Sequence, residues 1–393
     1  MRFDNIAKLK LIYFFRSLYF FAPIITLFYF SRNLNTFQVV SLEAFLIATV
    51  VLAEIPTGII ADKIGRKFSL LFLTGLYVIG NIMTIYSHSY WLFIVIQIIF
   101  GIAIAFGSGA IEALVYDSLK FQGKKKLMSK VWGAINSYSL VAGVIAVIVG
   151  GYIARNLEPS SFIVLLWLYV IGSSIAFIIS FLVVERKHTK EIKRKSPLIL
   201  FKESSSQILK NKSLRKIVYL SIFTISFSHI IMFLFQPYFL MANVNSSTFG
   251  IIMAIGLILG ALLMKYAYRI EELFGMKKTI FIATILPGLF YLLMAFLIGP
   301  IMSALWYILL KGSMSMKEPL FSQYQNIHIK SYNRATVLSV ISMITSLYLV
   351  IMRFVIGAIA NKDLLVSFIV MGIIIIIGAI VFRIDENQIK NNC

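Results

Sequence analysis

Charged residues are scarce in this chain, at 13% of its 393 residues. A soluble globular chain usually contains about 25% charged residues. No Asp, Glu, Lys or Arg occurs from Phe68 to Ile111 or from Ile217 to Met264, whereas about 20 apolar residues are enough for one helix to cross a bilayer. These runs exclude a soluble protein and predict one that crosses the membrane several times.

Cysteine, histidine and nucleotide-binding motifs are also rare or missing. Cys393 is the only cysteine and the last residue, so the chain has neither an intrachain disulfide nor a prenylation site. The four histidines are too dispersed for a metal site, and there is no Walker-type glycine loop for ATP hydrolysis. We therefore expect no enzyme activity, no cofactor and no metal.

Basic residues outnumber acidic ones, and the net charge is +21. They lie in short loops between apolar runs, so we attribute them to membrane orientation and expect no nucleic-acid partner. A hydropathy window predicts twelve membrane helices. They lie near residues 10–31, 38–60, 68–87, 90–116, 131–154, 161–184, 216–241, 247–267, 278–298, 300–321, 335–358 and 364–382.

Alternate loops differ strongly in charge. One set holds most Lys and Arg, whereas the loops of the opposite set hold only Arg32, Arg155 and Lys362. Basic loops stay in the cytoplasm, which predicts a multi-pass protein of the cytoplasmic membrane with both termini inside the cell. The first apolar segment carries Arg16 and lacks a small-residue cleavage site, so we expect it to be retained.

The helices form two groups of six around a long charged linker. We expect bundles at 1–184 and 215–393, joined by a cytoplasmic linker at 185–214. "GAIEALVYDSL" before "SKVWGAINSY" is faintly echoed by "SMKEPLFSQYQ" before "YNRATVLSVIS". Such duplication is a known transporter architecture. The predicted fold is thus an all-α membrane protein with two pseudo-symmetric six-helix bundles.

The stretch "EIPTGIIADKIGRKFSL" interrupts an apolar run with four charges between predicted helices 2 and 3. It resembles the G-x-x-x-D-(R/K)-x-G-R-(R/K) motif of the major facilitator superfamily. The matching residues are Gly58, Asp62, Lys63, Gly65, Arg66 and Lys67. The six-plus-six layout extends this resemblance over the whole chain.

The resemblance implies that this turn is a conformational latch. In the family the aspartate, here Asp62, faces the start of helix 11, and the arginine, here Arg66, pairs with an acid near the end of helix 4, for which Asp117 is suitably placed. Gly58 would allow close approach of a helix and Gly65 a tight turn. Alternatively, the basic residues only set topology, but this explains neither the glycines nor Asp62.

Several polar residues in the predicted helices are candidates for the substrate cavity or for proton coupling, because polar groups at membrane depth are costly. These candidates are Arg16, Glu54, Gln97, Glu112, His229, Lys311 and Arg353. Lys311 is the most central. The long stems of Arg16 and Arg353 allow them to snorkel to the interface. Glu54 and Glu112 are the candidate protonation sites if burial favours their neutral forms.

The same candidates have alternative structural roles. Glu112 is as well placed for an interfacial role, and His229 for hydrogen-bonded packing. Gln97 lies four residues before Gly101, where many drug and proton antiporters of the superfamily have arginine. The helix-5 proline motif of exporters is also missing from "AGVIAVIVGG". An antiporter is therefore one reading among others.

The leading functional hypothesis is proton-coupled efflux of small amphipathic compounds by a monomeric secondary transporter. It follows from helices that are rich in aromatic residues and poor in charge. The alternative is uptake or exchange of a polar or anionic solute, with Lys311, Arg16 and Arg353 as counter-charges. A third hypothesis, from another class, is a non-transporting membrane sensor or assembly partner.

Overall fold

The computed structural model describes residues 4–185, 206–329 except 207, 226 and 228, and 334–384. Most of the predicted linker 185–214 and the tail after 384 lie outside these residues. The chain divides into two compact units, Met1–Lys190 with Ser246–Ala254, and Glu191–Asn245 with Ile255–Cys393. All regular elements among the described residues are helices.

The helices up to the linker are α1 Asn5–Arg16, α2 Ile25–Ser31, α3 Thr36–Ile64, α4 Arg66–Tyr86, α5 Tyr90–Gly107, α6 Ala110–Phe121, α7 Met128–Ile153 and α8 Pro159–Phe181. Those after it are α9 Lys212–Ile225, α10 Ile231–Met241, α11 Phe249–Phe296, α12 Pro300–His328, α13 Arg334–Lys362 and α14 Leu364–Val381.

Eight helical stretches in the described part of the chain are long and apolar enough to cross a membrane. One of them, Ser246–Phe296, contains predicted segments 8 and 9, which meet at Gly275 with φ 76° and ψ 157°. Shorter helices form segments 1 and 7, and the more polar α12 forms segment 10. The all-α membrane fold predicted from the sequence is confirmed.

Three segments predicted as continuous helices are interrupted. Segment 1 is divided into α1 and α2 by residues 17–24, where Pro23 lies in a short 3-10 helix and provides no backbone N–H for an α-helix. Segment 4 is divided into α5 and α6 at Gly109, whose φ is +68°. Segment 7 is divided into α9 and α10. The side chains remain mostly apolar across all three interruptions, so a hydropathy window does not reveal them.

Small residues set the helix spacing in the first unit. A Cβ added to Gly101 on α5 would lie 2.6 Å from Cβ of Thr49 on α3, so these two helices are in close contact. A Cβ on Gly150 of α7 would overlap the backbone carbonyl oxygen of Phe20. Packing of this kind is usual between membrane helices, where backbones approach through small residues.

The second unit uses the same device to place α12. Gly256 and Gly260 are one turn apart on α11, and both face α12. A Cβ on Gly256 would lie 3.3 Å from Cβ of Lys311, and one on Gly260 would lie 2.5 Å from Oγ of Ser315. This contact fixes the side chain of Lys311 against α11.

Candidate functional site

The turn between α3 and α4 is made by Gly65, with φ 106° and ψ 160°. This region of backbone space is essentially restricted to glycine, so the tight turn predicted at Gly65 is present. Gly275 adopts nearly the same dihedral angles in the corresponding turn of the second half. The two turns therefore share a backbone conformation although Met276 replaces the arginine that follows Gly65.

Arg66 joins this turn to α6. Its guanidinium forms an ion pair with Asp117, and Nη1 also donates to the carbonyl oxygen of Ala113 at 3.1 Å. Lys67 reaches the end of α8, where Nζ donates to the carbonyl oxygen of Phe181 at 2.7 Å. The motif is thus bound to two other helices of its own unit.

Glu185 completes this arrangement, and the sequence analysis missed its role. Its carboxylate accepts hydrogen bonds from the backbone N–H groups of Arg66 at 2.7 Å and Lys67 at 2.9 Å. These N–H groups open α4, and a carboxylate there also interacts favourably with the helix dipole. A Cβ on Gly65 would lie 2.5 Å from Oε2 of Glu185. We call Gly65, Arg66, Lys67, Asp117 and Glu185 the hairpin network.

Glu185→Ala is expected to lower the free energy of unfolding by about 1–2 kcal/mol, because loss of a helix cap typically has this effect. Thermal denaturation of the detergent-solubilised protein measures it. Glu158→Ala is the matched control, since Glu158 precedes α8 but accepts no hydrogen bond from a backbone N–H group of that helix, only one from Oγ of Ser160 at 3.5 Å. Equal shifts for the two variants would contradict the capping role.

The other motif residues lie on α3. Asp62 and Lys63 are exposed in the last turn of α3, and the role predicted for Asp62 at helix 11 stays a prediction. The close helix approach predicted at Gly58 is not seen within its own unit, and an approach by a helix of the second unit stays a prediction. Among the described residues of its own unit, a Cβ on Gly58 has no atom within 4 Å.

The second unit contains a cavity of about 590 Å³ that is lined by both charged and apolar residues. This volume is within the usual range for small-molecule pockets, roughly 300–1,000 Å³. Its lining consists of His229, Lys311, Met314, Ser315, Lys317, Glu318, Phe321, Ser322 and Gln325. All of these except His229 belong to α12, so one helix carries most of the chemistry. The structure brings together two of the predicted residues, His229 and Lys311.

Lys317 is the cavity residue that the sequence analysis overlooked. It is only 1% exposed, and its Nζ donates to the carbonyl oxygen of Thr224 at 2.6 Å. The signal was available, because a lysine in a membrane helix is a functional candidate. Its neighbour Glu318 is exposed and also lines the cavity.

The remaining cationic and amide candidates are outside this cavity. Arg16 ends α1 with its guanidinium 5.2 Å from the ring centre of Tyr13 and 5.6 Å from that of Tyr77. Gln97 is buried, with Nε2 3.5 Å from the hydroxyl of Tyr29. Arg353 is fully buried, so the snorkelling predicted for it is wrong.

The two candidate protonation sites are not buried, contrary to the premise from the sequence. Glu54 and Glu112 are both exposed. Oε1 of Glu54 accepts a hydrogen bond from Oγ of Ser108 at 3.4 Å. Among the described residues, no group of three or more His, Cys, Asp or Glu could hold a metal ion.

A helical membrane fold, a charged hairpin between α3 and α4 and a cavity inside the second unit are the features expected of a membrane transporter. A profile of the Major Facilitator Superfamily matches residues 11–324. The chain therefore belongs to the Major Facilitator Superfamily, a family of transporters and not of enzymes.

Two relatives match part of the chain. An uncharacterized transporter of Buchnera aphidicola subsp. Schizaphis graminum (strain Sg) is 27% identical over 195 residues, 49% of this chain and 46% of that protein. The inner membrane transport protein YajR of Escherichia coli (strain K12) is 27% identical over 164 residues, 42% of this chain and 34% of YajR. The chain thus matches less than half the length of either relative.

Solved structures share the fold over nearly the whole chain. The nucleoside transporter NupG superimposes with a TM-score of 0.80 at 14% identity, covering 96% of this chain and 98% of NupG. A POT family transporter in complex with 5-aminolevulinic acid gives 0.77 at 13% identity, with coverage of 96% and 94%. A bacterial homologue of the human lysosomal transporter Spinster gives 0.77 at 14%, with coverage of 100% and 98%.

Proposed function

We propose that this protein is a secondary active transporter of small polar solutes that carry a negative charge. The observation that supports this most is the cavity in the second unit, whose lining contains two lysines, Lys311 and Lys317, and one carboxylate, Glu318. Serine, glutamine and histidine side chains around them supply further hydrogen-bonding groups. The two lysines favour a solute that carries a negative charge, while Met314 and Phe321 add apolar surface to the same lining.

The proposed mechanism is alternating access, with the α3–α4 turn as the conformational latch and the hairpin network holding that turn to its own bundle. Arg66, Asp117 and Glu185 connect the α3–α4 turn to α6 and to the residue that begins the linker. These contacts would make the turn move with its own bundle as one piece. Charged residues of the motif outside the network, such as Asp62, would then keep a fixed position relative to that bundle.

Proton coupling through Glu54 is part of the proposal. This carboxylate lies within the membrane helix α3 and is hydrogen-bonded to Ser108. An acidic side chain within a membrane helix almost always faces the bundle interior or a water-filled cavity.

Proton-coupled export of amphipathic compounds is the second candidate, because Arg16 between the rings of Tyr13 and Tyr77 gives the first unit an aromatic binding surface.

The test is a flux panel with the purified full-length chain in proteoliposomes under an imposed pH gradient. The panel contains a dicarboxylate, a sugar phosphate, a nucleoside, 5-aminolevulinic acid and a cationic amphipathic dye. The nucleoside and 5-aminolevulinic acid are included because fold neighbours are described with them.

We expect gradient-dependent flux of one or more anions, slowed but not redirected by Asp117→Asn. Flux of the dye alone would replace this proposal with amphipathic export. No flux of any solute would favour the non-transporting sensor or assembly partner.

We also propose that the protein lies in the cytoplasmic membrane with both termini inside the cell. The native Cys393 tests this because it is the only cysteine in the chain. A membrane-impermeant maleimide is expected to label it in permeabilised cells and not in intact ones. Equal labelling of both would reverse the proposed orientation. A cysteine introduced in place of Asn33, between α2 and α3, serves as the opposite-side control in a Cys393→Ser background.

A further inference from the structure

Backbone carbonyl groups at the interruption between α9 and α10 accept hydrogen bonds from side chains of other helices. The last C=O groups of an α-helix have no partner within the helix, and α9 ends at Ile225, one residue after Thr224. Nζ of Lys317 donates to the carbonyl oxygen of Thr224 at 2.6 Å. The hydroxyl of Tyr291 donates to the carbonyl oxygen of Phe227 at 2.8 Å. Two other helices, α12 and α11, therefore stabilise this interruption.

Both donors are fully inside the protein. Lys317 is 1% exposed and Tyr291 0%, so neither group exchanges its bond for water at low cost. The end of α9 supplies the lysine with partial compensation, because the C-terminus of a helix carries roughly half a negative charge. The contact between Lys317 and Thr224 therefore has two effects. It caps the end of α9, and it places the positive charge of the lysine next to the negative end of the helix dipole.

Lys317 also lines the cavity, together with Lys311 and His229. An ammonium group has three donor hydrogens, and the full negative charge of an anion attracts it more strongly than the partial charge of a carbonyl oxygen does. A carboxylate or phosphate in the cavity would therefore compete with the carbonyl oxygen of Thr224 for Lys317. Tyr291 is not part of the lining, so a solute in the cavity would not contact the hydroxyl that donates to Phe227.

We propose that Lys317 couples binding of an anionic solute in this cavity to the conformation of the interrupted helix. The solute draws the ammonium group away from Thr224, and the end of α9 loses its cap. Tyr291 maintains the other side of the interruption throughout. This inference depends on the proposed function, because it requires an anion in the cavity. In this mechanism Lys317 is a positioning residue that converts binding into a change of helix stability.

Hydrogen–deuterium exchange of the full chain in nanodiscs tests the proposal, measured on peptides that cover α9 and α10. The probes are the best-transported anion of the flux panel and inorganic phosphate. In the native protein we expect either anion to accelerate exchange in the last turn of α9 about tenfold. This corresponds to a decrease of about 1.4 kcal/mol in the free energy of local opening. Lys317→Met should exchange fast without solute and respond no further, whereas Lys317→Arg should retain the response.

Tyr291→Phe is the matched control. It removes a hydroxyl bond to the same interruption, so basal exchange should rise while the response to the anion persists. An anion response that survives in Lys317→Met would overturn the proposal, as would binding to the native protein without any change in exchange. Absence of both flux and binding would instead refute the proposed function, so the two failures are distinguishable.

Discussion

Gly150→Ala is expected to reduce the stability of the folded protein more than other single-methyl additions to α7. The new Cβ would overlap the carbonyl oxygen of Phe20, and a backbone atom cannot move aside as a flexible side chain can. Overpacking of this kind costs about 1–3 kcal/mol or more. We expect the upper end of that range, because α7 would be forced away from the turn that follows α1.

Gly143→Ala is the matched control on the same helix. A Cβ on Gly143 meets no described atom within 4 Å, and alanine is the better helix former, so the expected effect is zero or slightly stabilising. Fluorescence-detected size exclusion after a heat step measures both variants. Equal loss of the monodisperse peak would show that α7 does not pack on Phe20 as described.

The sequence predicted the helical membrane fold because its signal is local and strong. Apolar runs report membrane depth directly, and the turn at Gly65 is encoded by a motif in which only glycine fits the backbone. The duplication was visible only as a faint echo. Gly65 and Gly275, at corresponding turns of the two halves, both have positive φ and extended ψ, a similarity that the side chains do not reveal.

The interruptions were not predictable from hydropathy, because their stability depends on distant residues. The carbonyl groups next to the α9 interruption are satisfied by Lys317 and Tyr291, which lie 93 and 64 positions from their acceptors. No window along the chain contains that information. The same limit applies to Glu185, whose acceptor role depends on the end of α8 lying next to the start of α4.

Depth in the membrane also does not reveal which way a side chain points. Glu54 and Arg353 both lie inside predicted spans, yet the first is exposed and the second is fully buried. Lys311 was predicted from its central position and does line the cavity. Lys317 lies nearer the helix end and was overlooked, although its environment is the drier of the two.

Lys311→Met is expected to raise the KM for anionic solutes about 30-fold in proteoliposomes. Methionine has a similar stem without the charge. Loss of one partner of a desolvated, hydrogen-bonded charge pair costs at least about 2 kcal/mol of binding free energy. Because about 1.4 kcal/mol corresponds to a tenfold change in affinity, this cost corresponds to about 30-fold. Lys311→Arg keeps the charge and should recover most of the affinity. Lys265→Met is the control, because Lys265 is exposed and does not line the cavity.

The same variant separates the two functional candidates, because they assign opposite roles to the charge. If the solute is anionic, Lys311 attracts it, and Lys311→Met lowers flux at low solute concentration about 30-fold while leaving the folded yield unchanged. If the protein exports amphipathic compounds, a lysine in the cavity repels cationic dyes, and its removal should leave drug resistance of overexpressing cells intact or increase it. Resistance that survives Lys311→Met, with no anion flux in the native protein, would therefore assign the cavity to export and refute an anion-binding role for Lys311.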